Sequence, residues 1–350
     1  MIFRLRAMCI KNMSAYDDRY EIRLAGYPDI EDIMDFISHN WKKDHILARD
    51  RRLFEYEFLE EDGSVNFALA IDREKSSIEA ISGFLRASHD PQNLDIWGVM
   101  WMTRPNNMTL LGVELLKRRD NMVKCRTSMG VGDNPDTAIP LVQKIMHRYV
   151  AKMKQYYILA DRQDYKIAVV NERKKKECAD KKHKIIHFAS IDELTEAYNL
   201  KKNVMHIPYK DSRYIDHRYF GHVAYTYDVC GIVHGEAVTA VIILRREQLG
   251  DRHAVRIVDY IGDQSAITGI AWYFDELLEE KGCEYIDFYN MGFEDEYLDQ
   301  AGFILREPSD PNILPNYFHP FVRENIDIWV DSTDQDTCFF KGDADQDRPN

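Results

Sequence analysis

The sequence predicts two consecutive domains of the α/β class, each a mostly antiparallel mixed sheet (α+β in character) flanked by helices. Three observations carry this expectation. The chain has 350 residues, enough for two domains with a core each. Apolar residues make up 45% and charged residues 30%, the balance of an ordinary globular protein. Above all, the order β-α-(α)-β-β-β-α-β-α can be read twice along the chain, a duplication of layout rather than of sequence.

In the first half, YEIRLA (20–25) reads as a strand. Pro28 and Asp29 then open a helix, DIEDIMDFISHNW, with Ile30, Ile33, Met34 and Ile37 on one face. A second helix runs from about Arg51 to Leu59. Strands follow at 66–72, 78–86 and 95–103, punctuated by Gly63 and Asp90-Pro91. A helix at 109–119, a strand at 125–132, a helix at 136–149 and a strand at Tyr156–Leu159 close the first set. The basic run ERKKKECADKKHK (172–184) reads as an exposed linker.

The second set opens with a strand at 185–190 and a capped helix, SIDELTEAYN, with Asp192 and Glu193 in its first turn. Segments 222–235 and 237–247 form a hairpin turned at His234-Gly235. A strand at 254–262, a long helix at 265–282 ended by Gly282, a strand at 284–293 and a short helix at 294–303 complete it. The expected boundaries are 14–172, a linker at 173–184, 185–340, and a polar tail at 341–350.

The net charge of −13 argues against nucleic acid as a partner, since phosphate backbones need a basic surface. Cys9, Cys125, Cys178, Cys230, Cys283 and Cys338 include no CxxC pair and no His at ligand spacing, so no metal is expected. They read as reduced thiols, and no apolar stretch is long enough to span a bilayer. A cytoplasmic protein is expected. The opening MIFRLRAMCIKNM is too short for a signal peptide and leaves Met13 as an alternative start.

The segment YIDFYNMGFEDEYLDQAGF (285–303) resembles the signature of GNAT acetyltransferases. In it a strand ends in a polar residue and a short helix leads to an aromatic and a Gly-Phe turn, here Asn290, Tyr297, Gly302 and Phe303. The stretch WMTRPNNMTLLGVELL (101–116) resembles that family's strand–loop–helix for the coenzyme A pyrophosphate, with the glycine run reduced to Gly112. The physical requirement is free backbone N–H groups at the positive end of a helix. The chain also resembles a narrower group, tandem GNAT proteins of bacterial surface-polysaccharide (O-antigen) biosynthesis that acylate nucleotide-linked amino sugars. NWKKDHILARD (40–50), RIVDYIG (256–262), PNYFHPFVREN (315–325) and KGDADQDRPN (341–350) carry that likeness.

The resemblance implies two tandem GNAT-like domains, acyl-CoA as co-substrate, no metal, and a monomer. It places coenzyme A on Trp101, Met102, Thr103, Arg104, Asn107, Met108, Thr109, Leu110, Leu111, Gly112 and Asn134. It places the acceptor on Asn40, Trp41, Lys42, His45, Tyr260, Tyr289, Asn290, Asn316 and Tyr317. The oxyanion donor would be a backbone N–H near Trp101–Thr103 or Tyr260–Gly262. Attack of an amine on a thioester also needs a proton acceptor. Asp259, a carboxylate interrupting an apolar strand, and His222, an imidazole, are the candidates. A peptidoglycan-bridge-type aminoacyl transferase and a non-catalytic binding protein with decayed domains are the alternatives. The first would need a basic tRNA-binding patch. The second is supported by the eroded loop.

Overall fold

The computed structural model describes residues 15–176, 178, 182–315, 318–319, 321–344 and 349. Its strands are β1 Tyr20–Gly26, β2 Ser64–Asp72, β3 Ser77–Arg86, β4 Asp95–Thr103, β5 Thr127–Val131, β6 Tyr149–Lys152, β7 Lys154–Leu159, β8 Lys184–Phe188, β9 Asp228–His234, β10 Ala237–Leu249, β11 Arg252–Gly262, β12 Cys283–Met291, β13 Ile304–Leu305, β14 Trp329–Ser332 and β15 Phe339–Phe340. A seven-stranded sheet has the order β1-β2-β3-β4-β5-β14-β6. An eight-stranded sheet has the order β13-β7-β12-β11-β10-β9-β8, with β15 paired to β12. The chain forms two compact units. One holds Leu85 and the described residues before it, with Gly98–Lys124. The other holds Arg86–Trp97 and the described residues from Cys125 to Pro349. The described residues of the expected linker 173–184 fall inside the second.

In the first unit, β1, β2 and β3 pair antiparallel. Ala68, Ala70 and Ala80 keep one sheet face shallow, which lets Leu111 and Leu115 of helix Leu111–Val123 pack there beside Tyr20. Helix Ile30–Asn40 buries Ile30, Ile33, Met34 and Ile37 as its periodicity requires, and Phe36 as well. Helix Arg51–Phe58 starts at Asp50, whose carboxylate accepts the Leu53 N–H at 3.0 Å. Its Phe54 and Phe58 rings lie 5.5 and 4.8 Å from Phe67 of β2. Each such pair contributes about 0.5–1.5 kcal/mol beyond its area.

In the second unit, β8, β9, β10 and β11 pair antiparallel, and β11 runs parallel to β12. β10 and β11 are buried over most of their length. Helix Ala271–Glu279 covers one face through Phe274 and Leu277. The strand expected to close the first set lies instead in this sheet, as β7 between β12 and β13. The reason is burial on both sides: Tyr156 enters one core cluster and Tyr157 another. Conversely β14, late in the chain, pairs with both β5 and β6.

Three further expectations are corrected. Helix 136–149 ends at Lys144. His147 takes a left-handed φ of 56°, and Tyr149–Lys152 becomes β6 because β14 offers it a ladder. The strand expected at 222–235 begins only at Asp228, because the His222 ring accepts the N–H groups of Ala224 and Tyr225 and folds that stretch back. The long helix at 265–282 is a 3₁₀ turn, Gln264–Gly269, followed by helix Ala271–Glu279. A Cβ on Gly269 would overlap the His183 ring, so this break is fixed by packing.

Candidate functional site

The end of β4 feeds a loop and then helix Leu111–Val123, all within the first unit. Asn107 pins the loop. Its Nδ2 donates to Glu79 Oε2 at 2.9 Å and to Arg104 O at 3.1 Å, and its Oδ1 accepts Tyr20 OH at 3.0 Å. The Tyr20 hydroxyl accepts the Met108 N–H at 3.3 Å, and Thr109 O accepts Tyr16 OH at 2.7 Å. Asn106 and Leu110 both sit at positive φ, 66° and 62°, which costs a non-glycine residue strain that the surroundings must offset. Leu110 is the N-cap, yet no side chain caps this helix start. The Leu111 N–H donates to Met108 O at 3.1 Å, and no side chain caps the N–H groups of Gly112 and Val113 that follow, which leaves them and the helix dipole to a ligand.

Gly112 is required by close approach. A Cβ there would meet Trp101 Nε1 at 2.7 Å and Thr103 Oγ1 at 2.8 Å. The structure thus brings Trp101, Thr103 and Gly112 together at the base of the loop. Asn107 and Met108 hold it, and Leu111 belongs to the core. Met102 is half-buried beside them. The Arg104 guanidinium lies 5.3 Å above the Phe36 ring and 4.0 Å from Glu79.

Phe36 lies one turn before Asn40, so the expected acceptor residues sit on an element joined to this loop through Arg104. Asn40 Nδ2 donates to Phe36 O at 2.8 Å. Trp41 is 50% exposed and Lys42 is exposed, with both N–H groups bonded to Ile37 O. His45 Nδ1 accepts the Leu47 N–H and starts helix Ile46–Arg49.

The remaining expected residues lie in the second unit. Asp259 has no exposure. Its Oδ1 accepts Lys210 Nζ at 2.6 Å and the Tyr260 N–H at 2.7 Å, and its Oδ2 accepts Tyr219 OH at 2.6 Å. Lys210 also donates to Asp343 at 2.7 Å, and its ammonium faces Phe340 and Trp97 at 5.1 and 5.6 Å. Burial and the Asp259 charge push the Asp343 carboxyl up to about 6, against the pull of Lys210. The geometry gives Asp259 an internal ion-pairing role. His222 is enclosed, and its Nδ1 accepts two backbone N–H groups, which assigns the proton of the neutral ring to Nε2. Tyr260 OH donates to Asp263 O at 2.8 Å, and burial raises its pKa, as it does for Tyr289. Asn290 is fully buried with neither amide atom bonded. Asn134 Oδ1 accepts the N–H groups of Asp136 and Thr137, a turn ahead of helix Ala138–Lys144. Asn316 and Tyr317 lie outside the described residues.

The Gly-Phe turn has a structural task. Gly302, at φ 88°, ends helix Asp295–Gln300, and Phe303 fills the core against Phe274 at 5.1 Å. The second unit's counterpart of the helix start differs from the first: Asp263 Oδ1 accepts the Ser265 N–H at 2.9 Å and its hydroxyl at 2.7 Å, so a carboxylate already fills it.

Sequence reasoning missed Lys210, Tyr219 and Asp343, which meet Asp259 from segments far apart in the chain. Lys341–Ala344, expected as part of a polar tail, are buried, because Asp343 finds Lys210 and Phe339–Phe340 pair with β12. It also missed two carboxyls beside Gly130, those of Asp133 and Asp331. Arg148 Nη1 donates to Asp331 at 2.8 Å, while burial and the Asp331 charge hold Asp133 well above the ordinary carboxylate range. Among the described residues there is no cluster of three His, Cys, Asp or Glu placed for a metal. No helix there is long and apolar enough to cross a membrane.

The chain is similar in structure to a GCN5-related N-acetyltransferase from Anabaena variabilis ATCC 29413. The TM-score is 0.54 at 11% identity, covering 89% of this chain and 72% of that one. A conserved protein of unknown function from Enterococcus faecalis V583, described as a "probable N-acyltransferase", gives 0.53 at 8% identity with the same coverages, 89% and 72%. No protein-family model matches the chain, and no curated protein matches it in sequence. At such identities the likeness establishes the fold: two mixed sheets flanked by helices, consistent with the two GNAT-like domains expected from the sequence.

Proposed function

We propose that the chain is an acyl-CoA-dependent N-acyltransferase that binds coenzyme A at the end of β4. The observation that carries this reading is the uncapped start of helix Leu111–Val123, set behind a strained loop and against Gly112. The pyrophosphate would take the N–H groups of Gly112 and Val113, with Arg104 supplying charge nearby. The acyl carbonyl would lie along Trp101–Thr103, where a backbone N–H receives the developing oxyanion. The amine nitrogen attacks the thioester carbon, its proton passes to a base or water, the C–S bond breaks, and the thiolate leaves to be protonated. The fold likeness supports an acyl transfer in general. The acceptor class, a nucleotide-linked amino sugar, rests on segments 40–50 and 315–325. Asn40, Trp41, Lys42 and His45 are the first residues to test for contact with it.

The test is to incubate the protein with acetyl-CoA or longer acyl-CoAs and a panel of nucleoside-diphosphate amino sugars, and to follow free thiol. Amine-dependent thiol release is expected. Silence for every pair would sink the transferase reading. The single glycine in the loop favours, as a second reading, a module that binds coenzyme A without turnover. Calorimetry with coenzyme A separates the two when combined with the thiol assay. The aminoacyl transferase alternative fits poorly with a net charge of −13, because tRNA needs a basic surface.

A further inference from the structure

The parallel pair β11 and β12 does not stay closed. Its register runs from His253/Cys283 to Ile257/Phe288 and stops there, although β11 continues to Gly262 and β12 to Met291. Two diverging strands leave unpaired backbone groups on both inner edges, and a gap of that kind must be filled by something that hydrogen-bonds to each.

The chain fills it with itself. On the β12 side, Asn290 and Met291 pair with Phe340 and Phe339 of β15. On the β11 side, the Gly342 N–H donates to Val258 O at 2.7 Å. The Phe340 ring stacks on Phe288, the last β12 residue before the gap, at 5.6 Å. Asp343 closes the turn by accepting the Phe340 N–H at 2.8 Å, and its other oxygen receives Lys210 Nζ, which also holds Asp259 of β11. Gly342 is a fitting residue here: a Cβ would meet Val258 O and Tyr219 OH, each at 2.8 Å. Phe339–Asp343 are all buried.

We infer that residues Phe339–Asp343 act as an internal ligand of the second sheet, wedged between β11 and β12, so that this sheet admits no thioester and the chain carries a single acyl-CoA site, at the end of β4. The location of that single site rests on the function proposed above; the filling of the gap does not. The carboxylate of Asp263 at the neighbouring helix start points the same way, since it occupies the Ser265 N–H and puts a negative charge where a phosphate would have to sit.

Hydrogen exchange on the full chain, with and without saturating coenzyme A or acetyl-CoA, tests this, together with native mass spectrometry. The Phe340 and Gly342 amides should exchange as slowly as those in the middle of β11, with or without ligand. Protection on ligand addition should fall on residues 104–113, with one ligand per chain. Two ligands per chain, or ligand-accelerated exchange at 339–343, would overturn the inference. No ligand bound anywhere, with 339–343 still protected, would sink the transferase reading and leave the filled gap supported. Gly342→Ala supplies a second arm: the added methyl should speed exchange across 339–343 by about tenfold or more while central β10 stays protected. Unchanged exchange in that variant would count against the wedge.

Discussion

The two helix starts that follow β4 and β11 solve the same electrostatic problem in opposite ways. After β4, the N-cap is Leu110, no side chain reaches the first-turn donors, and a 13-residue helix follows. After β11, Asp263 puts a carboxylate on the Ser265 N–H, a 3₁₀ turn replaces the first helical turns, and the strand gap beside it is occupied by Phe339–Asp343. The first arrangement leaves donors available to a ligand, and the second satisfies its own. Duplicated layout therefore does not mean duplicated capacity. One start can serve an anion because it is left unfinished, at some cost in stability.

The largest test of this contrast is Lys210→Met. It strands the Asp259 and Asp343 carboxyls together in the interior, and removing one partner of a buried ionic group typically costs about 3–5 kcal/mol. Urea denaturation should show a loss of that order; a loss under about 1 kcal/mol would mean that the ion cluster does not hold the wedge. Next comes Gly112→Val. The branched side chain would collide with Trp101 and Thr103, so stability should fall by about 1–3 kcal/mol and coenzyme A affinity by at least about tenfold. Unchanged affinity in a folded variant would move the site elsewhere.

Exchanging the caps should have a smaller and more diagnostic effect. Leu110→Asp gives the first start the carboxylate of the second; affinity for coenzyme A should drop several-fold while the melting temperature holds or rises. Asp263→Ala should cost about 1 kcal/mol and leave coenzyme A affinity untouched. If the two variants behave alike in calorimetry, the contrast between the starts is wrong.

The last test concerns the second buried carboxyl pair, Asp133 and Asp331, whose cation Arg148 bonds Asp331. Asp133 is raised by burial and by the neighbouring Asp331. Between its unfolded value and its raised folded value, the folded chain holds a proton that the unfolded chain has released. Stability contributed by this group is therefore full at low pH and lost as pH rises through that window. Asp133→Asn should flatten that slope in denaturation curves taken at several pH values; an unchanged slope would mean that Asp133 does not carry it.

The sequence made the local elements legible because periodicity and capping are local. Ile30, Ile33, Met34 and Ile37 announced their helix, SIDELTEAYN announced a capped one, where the Ser190 hydroxyl accepts the Glu193 N–H and the Glu193 carboxylate the Ala189 N–H, and His234-Gly235 announced a hairpin. Strand partnership was not legible. Nothing in YYIL tells which sheet will bury Tyr156 and Tyr157 on opposite faces, and nothing in DIWV tells that β14 belongs between β5 and β6. Gly112 could be singled out in the text as the glycine that follows β4, and the structure gives it a close-packing task against Trp101 and Thr103. The Lys210 cluster could not, since PYKD, VDY and KGD carry no common pattern until the fold joins them.

The strand exchange also sets a timetable for synthesis. β5 and β6 leave the ribosome before the strand that lies between them, Trp329–Ser332, which follows only after β7 to β13 have been made. At about 5–20 residues per second, the intervening stretch takes on the order of ten to thirty seconds. Through that interval the early half presents two facing edges with nothing to pair with, the condition under which strands seek partners in other chains. The nascent protein is therefore exposed to aggregation through that interval, and a stop codon between 152 and 329 would make the exposure permanent.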